Sequence, residues 1–276
     1  MYAEKEKVIN VWDKVASNFG KTGPKYWDDF GNRLIELSNI QKSATVLDVG
    51  MGRGASLFPA IKKVGKYGHV IGIDNSEVMV NETYKDILDS NICNATVKKM
   101  NAQSLNFKEE YFDNVICGFG IGYLLCSENK LSDILSVLKH GGQAGFSIWG
   151  VQEDQKWLTE IIQKYLKTDL KNSNSKQVDI LKFDNVGDVI KILYDSGFEN
   201  IKVHEEDSEV VYTDKDDWWE EMLNNAVRGI FDEIEKLGSE VYAQFKAEIF
   251  NGLEKFKRGD GLHFNMPVIY AFGDKK

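Results

Sequence analysis

The sequence predicts an α/β fold built around a mostly parallel sheet, and two observations lead to that prediction. First, short apolar strand patterns alternate with amphipathic helical patterns from residue 45 to residue 149, and such alternation specifies a parallel sheet with right-handed crossovers. Second, residues 46–54 (VLDVGMGRG) pass from an apolar strand to an acid and then to three alternating glycines. A turn that tight needs glycines, because side chains would keep a ligand from lying against the backbone.

The elements of this sheet follow from their residue patterns. Strands are predicted at residues 45–49, 70–73, 95–99, 114–118, 143–149, 200–212 and 262–272. Helices are predicted at about residues 55–64, 77–90, 130–138 and 186–196, and a loop at residues 171–176. Before the first strand, apolar residues recur at helical spacing from Val8 to Phe19, and a second helical pattern covers residues 26–37.

The chain is predicted to have four parts. These are residues 1–44, an N-terminal helical lid segment; residues 45–212, the α/β core; residues 213–260, a helical insertion with two helical patterns; and residues 261–276, the final strand of the core. If the sixth strand runs parallel to its neighbours, the insertion begins and ends at the carboxyl edge of the sheet, where open α/β sheets bind ligands. We therefore expect the insertion to cap a pocket; a sideways extension of the core or a dimer contact is the alternative.

The glycine turn and the acid that ends the second strand predict an adenosine-containing cofactor. The helix after the turn directs its free N–H groups at a ligand, and Asp74 can accept both hydroxyls of a ribose. The dinucleotide pattern G-x-G-x-x-G/A fits the residues from Gly50 onward. S-adenosylmethionine is favoured instead by Gly54 and by Asp48, which can accept from a methionine ammonium at a position where a dinucleotide strand is normally apolar. A loop-capping acid is the alternative role of Asp48.

Five motifs follow one another in the order and spacing of a known family. They are residues 46–54, 72–76 (GIDNS), 100–103 (MNAQ), 112–116 (FDNVI) and 138–142 (LKHGG). With them the sequence resembles the class I S-adenosylmethionine-dependent methyltransferases, most closely the ubiquinone- and menaquinone-biosynthesis type and related small-molecule enzymes. Two positions depart from the family pattern: Asn101 replaces an aspartate at the adenine but keeps an acceptor oxygen, and His140 replaces a proline.

The resemblance implies a Rossmann-like fold with a seven-stranded, mostly parallel sheet, an antiparallel last strand and a helical cap. It implies transfer of a methyl group from S-adenosylmethionine to a nitrogen, oxygen or carbon nucleophile of a small molecule, with S-adenosylhomocysteine as the product. The predicted cofactor-binding residues are Asp48, Gly50, Met51, Gly52, Gly54, Asp74, Asn75, Met79, Asn101, Ala102 and Gly118.

The acceptor side is predicted from aromatic residues near the carboxyl edge. Methyl transfer needs the nucleophile, the methyl carbon and the sulfur in line, and a cationic sulfur is compatible with aromatic faces. The predicted substrate-binding residues are Tyr26, Trp27, Phe119, Tyr123 and Trp149; simple packing is the alternative for each. No residue has the spacing of an obligate catalytic base, so the catalytic residue is left unknown, with His263 named as a candidate.

Composition and charge narrow the function classes. A formal net charge of −9 disfavours a nucleic-acid partner. Nine acids crowd residues 205–221 and form either a solvated face or a field that attracts a cationic substrate. The sequence shows no membrane span, no signal-peptide core and no metal-site or disulfide spacing. We expect a cytoplasmic protein without a metal, with a homodimer left open.

Two other functions remain open at this stage. One is a nicotinamide-dependent oxidoreductase, because the glycine pattern alone also fits a dinucleotide. The other is a cofactor-binding regulatory or assembly protein without transfer activity.

Overall fold

The computed structural model describes residues 2–125, 131–166 and 185–276, so the predicted loop at residues 171–176 lies outside the described residues. The strands are β1 (Thr45–Val49), β2 (His69–Asp74), β3 (Ala95–Lys99), β4 (Phe112–Gly118), β5 (Leu138–Trp149), β6 (Glu199–Glu206), β7 (Glu209–Tyr212), β8 (Lys257–Arg258), β9 (Gly261–Asn265) and β10 (Val268–Asp274). The helices are α1 (Tyr2–Val15), α2 (Tyr26–Leu37), α3 (Leu57–Val64), α4 (Glu77–Asp89), α5 (Ile121–Leu125), α6 (Ser132–Val137), α7 (Glu153–Leu166), α8 (Val186–Asp195), α9 (Lys215–Leu223), α10 (Arg228–Glu235) and α11 (Ser239–Gly252), followed by a 3₁₀ turn (Leu253–Phe256).

Seven strands form the central sheet in the order β3-β2-β1-β4-β5-β10-β6. Strands β1 to β5 pair in parallel, whereas β10 lies antiparallel between β5 and β6. Strand β6 therefore runs parallel to β5, and the parallel strands end at one common edge, which we name the carboxyl edge. The predicted fold class, a mostly parallel seven-stranded sheet with an antiparallel last strand, is confirmed.

Helices cover both faces of this sheet. Val46 of β1 belongs to one apolar core and its neighbour Leu47 to the other, because successive side chains of a strand point to opposite faces. Helix α2 contributes Leu34 to the first core. Helices α6 and α8 contribute Ile134 and Leu193 to the second. This layering leaves the carboxyl edge as the place where the connecting loops meet.

Two predicted strands are each divided in two, which corrects the sequence analysis. Residues 200–212 contain β6 of the central sheet and then β7, which joins β9 and β8 in a separate three-stranded sheet. Residues 262–272 contain most of β9 and part of β10, and Pro267 between them has no N–H to donate to a ladder. The adjacent Met266 donates its N–H to the Ser208 carbonyl at 2.7 Å. The chain therefore leaves the central sheet at both places together, and only β10 of residues 261–276 belongs to that sheet.

The helices also differ from the prediction: α5 and α7 were not predicted, and the insertion holds one helix more than expected. Residues 213–260 hold three α-helices rather than two, because the first pattern is interrupted at residues 224–227. There the Asn225 side chain accepts the Val227 N–H at 2.9 Å, and such local side-chain bonds compete with helix continuation. Helix α7, which the sequence analysis did not predict, buries Ile161 and Ile162 in the first core.

The N-terminal helix packs against the insertion. The Val11 side chain lies 2.8 Å from the place where a Cβ on Gly229 would stand, and the Lys14 ammonium pairs with Asp232 at 2.7 Å. The N-terminal helix and the insertion are therefore neighbours. Within the described ranges, no helix combines the length and apolar character needed to cross a bilayer.

Gly31 sets how closely α2 approaches the glycine turn, and its replacement tests this packing. A Cβ on Gly31 would collide with the carbonyl oxygen of Ala55. In an open helix alanine is favoured over glycine by about 1 kcal/mol, so the sign of the effect is informative. We expect Gly31→Ala to lower the free energy of unfolding by at least ~2 kcal/mol in urea titrations. The matched control Asn32→Ala, at the next and exposed position, should change it by less than about 0.5 kcal/mol. A more stable Gly31→Ala protein would contradict the packing.

Candidate active site

The glycine turn between β1 and α3 lies at the carboxyl edge. Gly50, Gly52 and Gly54 have φ angles of 70°, 50° and 87°, a left-handed backbone that glycine adopts at little steric cost. The N–H groups of Gly50 and Met51 donate to the carbonyl of Ile73 at 2.9 and 3.0 Å, which ties the turn to the end of β2. Because the Met51 side chain is buried in the core, the turn presents backbone to a ligand.

Asp74 closes the other side of this turn. Its carboxylate accepts the N–H of Gly52 at 3.0 Å and the N–H of Ser76 at 2.8 Å. Ser76 in turn caps α4 by accepting the Met79 N–H at 3.0 Å. Burial raises the pKa of Asp74, and the backbone N–H groups that bond it lower the pKa again. A carboxylate has about four acceptor positions, so Asp74 retains capacity to accept from a ligand.

Asp48 is a fully buried carboxylate beside the glycine turn. One of its oxygens accepts the Ser56 hydroxyl at 2.8 Å, and the other has no hydrogen-bond partner among the described residues. Burial raises the pKa of Asp48 to about 7. The hydroxyl of Ser147, also buried and unpartnered, lies 3.6 Å from the place where a Cβ on Gly118 would stand. Buried polar groups are normally hydrogen-bonded, so this pair of orphaned oxygens suits a ligand that donates.

The N-terminal segment covers the same place. Phe19 lies 3.6 Å from the position of a Cβ on Gly52, and Asp13 accepts the Ser76 hydroxyl. The Arg53 guanidinium donates to main-chain carbonyls of this segment, at 2.8 Å to that of Ala16. Residues 13–19 therefore lie over the glycine turn.

The remaining predicted cofactor residues lie around this centre. Met79 is buried with Val15 beneath the N-terminal helix. Asn101 is exposed, and its side-chain oxygen accepts the Gln103 N–H at 3.0 Å. Ala102 is half-buried against the second core. Asn75 directs its N–H at the Asp74 carboxylate.

Four of the five predicted substrate residues form one aromatic cluster. Phe119 and Trp149 stack with ring centroids 4.1 Å apart, and Trp27 contacts both rings edge-on at 5.5 Å. Tyr26 lies 6.4 Å from Trp149. Phe30, which the sequence analysis did not single out, contacts Trp149 at 5.7 Å. The strand ends of β4 and β5 and the start of α2 thus converge on one apolar wall.

The backbone of Phe119 is strained. Its φ of 54° lies in the left-handed region, which costs a non-glycine residue energy and persists only where the surroundings enforce it. Here the Phe119 N–H donates to the Ser147 carbonyl at 2.9 Å and the ring is held by Trp149. The fifth predicted residue, Tyr123, lies on the next element, α5, and its main-chain carbonyl accepts a hydrogen bond from the Gln103 side-chain amide at 2.7 Å.

Glu221 joins the site, although the sequence analysis did not assign it a site role. It is fully buried on α9 and accepts hydrogen bonds from the side chains of Tyr26 and Trp27 at 2.8 and 3.1 Å. Its position, three residues after Trp218 and directly before Met222, falls on the apolar face of the helix. An acid among apolar helical positions is the signal that could have found it.

His263 lies apart from the aromatic cluster. Its Nδ1 is 3.0 Å from the Glu209 carboxylate across the three-stranded sheet. The adjacent residues Leu262 and Phe264 are buried in the first core, so His263 points to the opposite face of that sheet. Across the described ranges, no group of three or more histidine, cysteine or acidic side chains is placed to hold a metal ion.

Comparison with known proteins agrees with this geometry. Residues 46–142 match the family model for a methyltransferase domain. Aklanonic acid methyltransferase DauC of Streptomyces sp. (strain C5) is 32% identical over 143 residues, which cover 52% of this chain and 65% of that protein. Demethylmenaquinone methyltransferase of Listeria monocytogenes serotype 4a (strain HCC23) is 28% identical over 144 residues, 51% of this chain and 61% of that protein. The chain therefore spans less than two thirds of the length of these relatives.

A solved structure shares the fold over most of the chain. Phosphoethanolamine N-methyltransferase 2 of Haemonchus contortus, in complex with S-adenosyl-L-methionine, aligns with a TM-score of 0.55 and 19% identity over 97% of this chain and 57% of that one. The family match, the two relatives and the strand order all point the same way. Residues 46–142 therefore match a methyltransferase domain, and the motifs that lie within this segment agree with that match.

Proposed function

We propose that the protein transfers a methyl group from S-adenosylmethionine to a small-molecule acceptor. The observation that carries the proposal is Asp48, a fully buried carboxylate with one unpartnered oxygen beside a glycine turn of bare backbone. A buried carboxylate without a partner is costly. An ammonium group such as that of the methionine part of the cofactor would supply the missing donor.

The residues present fit this cofactor along its length. The glycine turn and Asp48 would take the methionine part, and Asp74 would accept from the ribose. Asn101 and Ala102, together with Gly118, would border the adenine. The Asn101 oxygen already accepts a neighbouring N–H, which leaves it one acceptor position for the adenine amino group. When bound, the cofactor supplies an electrophilic methyl on a cationic sulfur.

The aromatic cluster supports the acceptor side of the proposal. Phe119, Trp149, Trp27 and Tyr26 form one cluster of contacting rings, and aromatic rings suit a planar aromatic acceptor or a cationic one. Their role in the reaction would be alignment of the nucleophile, and alignment alone contributes roughly 7–11 kcal/mol to such displacements. We name no general base: the ring of His263 points away from this wall.

The parts of the chain take roles in the same proposal. Residues 1–44 would act as the lid and residues 213–260 as the cap, since both pack around the carboxyl edge. The alternative for residues 213–260 remains a dimer contact. Of the acids at residues 205–221, Glu221 is buried, whereas Glu206 pairs with Arg33 at 2.7 Å and Asp214 caps α9. Steering of a cationic acceptor by the exposed remainder, a cytoplasmic location and a homodimer stay proposals.

The direct test is ligand binding followed by transfer. By calorimetry, S-adenosylmethionine and S-adenosylhomocysteine should bind, while NAD and NADP should not. Labelled S-adenosylmethionine should then methylate at least one member of a panel of amines, phenols and quinols. Binding without any transfer would favour the regulatory alternative, and binding of NAD alone would overturn the proposal in favour of an oxidoreductase.

A double-mutant cycle tests the ribose contact of Asp74. Charge-assisted hydrogen bonds contribute about 1.5–3 kcal/mol each, so Asp74→Ala should weaken S-adenosylhomocysteine binding at least about tenfold. Because Asp74 also holds Gly52 and Ser76, the variant is compared with the wild type for an analogue that lacks both ribose hydroxyls. We expect loss of the hydroxyls to cost the wild type at least about tenfold and Asp74→Ala almost nothing. Equal losses in both proteins would limit Asp74 to the turn.

We expect Asp48 to lower the stability of the unliganded protein while it contributes to cofactor binding. The pKa of Asp48 determines how its effect on stability changes with pH. The pKa rises from 3.8 to about 7 on folding, so the unfolded chain releases this proton first and stability falls as pH rises between those values. Asp48→Asn removes that penalty. We expect it to stabilise the unliganded protein at pH 8 by up to about 4 kcal/mol, with little gain near pH 4, while S-adenosylhomocysteine binding is lost.

Denaturant titrations at both pH values and calorimetry check the Asp48 prediction, with exposed Asp89→Asn as the control that changes neither quantity. A destabilised Asp48→Asn protein at pH 8 would contradict the assigned desolvation. Retained S-adenosylhomocysteine affinity would separate Asp48 from the cofactor.

A further inference from the structure

Glu221 connects two parts of the chain that are about two hundred positions apart. One carboxylate oxygen accepts the Tyr26 hydroxyl at 2.8 Å and the Trp27 indole N–H at 3.1 Å. The other accepts the Thr22 hydroxyl at 2.9 Å. Between these donors the backbone also approaches closely, since a Cβ on Gly23 would lie 3.2 Å from the Cβ of Glu221.

Burial of the Glu221 carboxylate is unfavourable for the free energy of folding. Glu221 has no exposed surface. Burial raises its pKa, while the hydrogen bonds from these three donors and from the Asn225 side chain lower it. These donors are neutral side chains, and among the described residues no ion pair offsets the desolvation of the charge. A buried charge of this kind is retained at a cost to stability, which indicates a role other than holding α9 in the core.

Two of these donors, Tyr26 and Trp27, also belong to the aromatic cluster with Phe119 and Trp149, which we call the acceptor wall. Trp27 contacts both members of the Phe119–Trp149 stack at 5.5 Å, and Tyr26 contacts Trp149 at 6.4 Å. The indole and phenol rings therefore meet the stack with one side while their polar atoms bond Glu221. Two hydrogen bonds to one oxygen fix both rings relative to the insertion.

The same stretch of chain covers the cofactor side. A few residues earlier, Phe19 lies over the glycine turn and contacts the ring of Trp27, with centroids 5.0 Å apart. Movement of residues 19–27 would therefore uncover the glycine turn and displace the acceptor wall at once. Opening of this stretch has to break the bonds to Glu221.

We propose that Glu221 is a positioning residue that latches residues 19–27 onto the insertion, sets Tyr26 and Trp27 in the acceptor wall and limits how fast ligands pass this stretch. The latch itself stands on the contacts above, and its effect on ligands rests on the proposed function. The two are therefore tested by separate measurements.

Site-specific proteolysis tests the latch without any ligand. Lys21 and Lys25 are exposed within the latched stretch, directly before the donors Thr22 and Tyr26. Trypsin cleavage at these two lysines therefore reports the opening of this stretch, and cleavage at Lys62 on α3 reports opening of the core. Cleavage at each lysine is followed by mass spectrometry. Because Glu221→Ala loses charge-assisted hydrogen bonds, it should raise the ratio of cleavage at Lys21 and Lys25 to cleavage at Lys62 at least about tenfold. Glu221→Gln, which keeps one acceptor oxygen, should fall between this variant and the wild type.

Matched variants separate a latch from general destabilisation. Glu220→Ala, at the adjacent exposed position on the same helix, should leave the cleavage ratio unchanged. Thr22→Val removes a single donor and should raise the ratio by less than Glu221→Ala does. If Glu221→Ala fails to fold, the cleavage ratios of Glu221→Gln and Thr22→Val test the latch instead. A ratio that stays at the wild-type value in both would overturn the latch.

Release of S-adenosylhomocysteine tests the effect on ligands. We expect Glu221→Gln to raise the dissociation rate of S-adenosylhomocysteine severalfold by stopped-flow displacement, whereas Glu220→Ala should leave that rate unchanged. An unchanged dissociation rate together with a raised cleavage ratio would restrict Glu221 to the acceptor wall and overturn its control of ligand passage. Failure of the wild type to bind S-adenosylhomocysteine would count against the proposed function alone, since the cleavage ratio would still decide the latch.

Discussion

The hydrogen bonds that tie the glycine turn to strand β2 are the constraint on which the rest of the structure depends. Two consecutive N–H groups, of Gly50 and Met51, donate to the one carbonyl of Ile73, and the next turn residue donates to Asp74. This closure forces the positive φ angles that glycine tolerates, and it starts α3 directly over the sheet. As a consequence, the glycine turn presents main-chain atoms rather than side chains at the carboxyl edge. The side chains that lie over this edge come from other segments of the chain.

Three acids around that edge, of which Asp48 and Glu221 are buried and Asp74 is half-buried, differ in how their oxygens are used. Burial raises the pKa of Asp48, Asp74 and Glu221 alike, and their hydrogen-bond donors are backbone N–H groups and neutral side chains. Asp48 keeps one oxygen unpartnered, whereas both oxygens of Glu221 are taken. The first pattern suits a group that waits for a ligand and the second suits a group that holds protein in place. Asp74 combines the two.

The sequence allowed most of the central sheet and the whole glycine turn to be predicted, because both are encoded locally. Helix α2 and strands β1 and β3 fall at the predicted residues, since each is bounded by its own periodicity. The division into β6 and β7 escaped prediction, because an extended pattern does not reveal which sheet a strand joins. Glu221 escaped a site assignment for a related reason: its partners are about two hundred residues away, and no local pattern encodes them. His263 was placed near the site by chain position, but strand alternation turns it to the other face.

The residues of the candidate site fall partly inside and partly outside the segment that matches the family model. Residues 46–142, which match the methyltransferase domain, contain the glycine turn, Asp48 and Asp74. Of the aromatic wall they contain Phe119, while Tyr26 and Trp27 precede them and Trp149 follows them. Glu221, which fixes two of those rings, lies further still along the chain. Since the proposed cofactor side lies inside the matched segment and the proposed acceptor side lies mostly outside it, the match informs the cofactor chemistry far more than the acceptor. The residues proposed to surround the acceptor come instead from the contact between the N-terminal segment and the insertion.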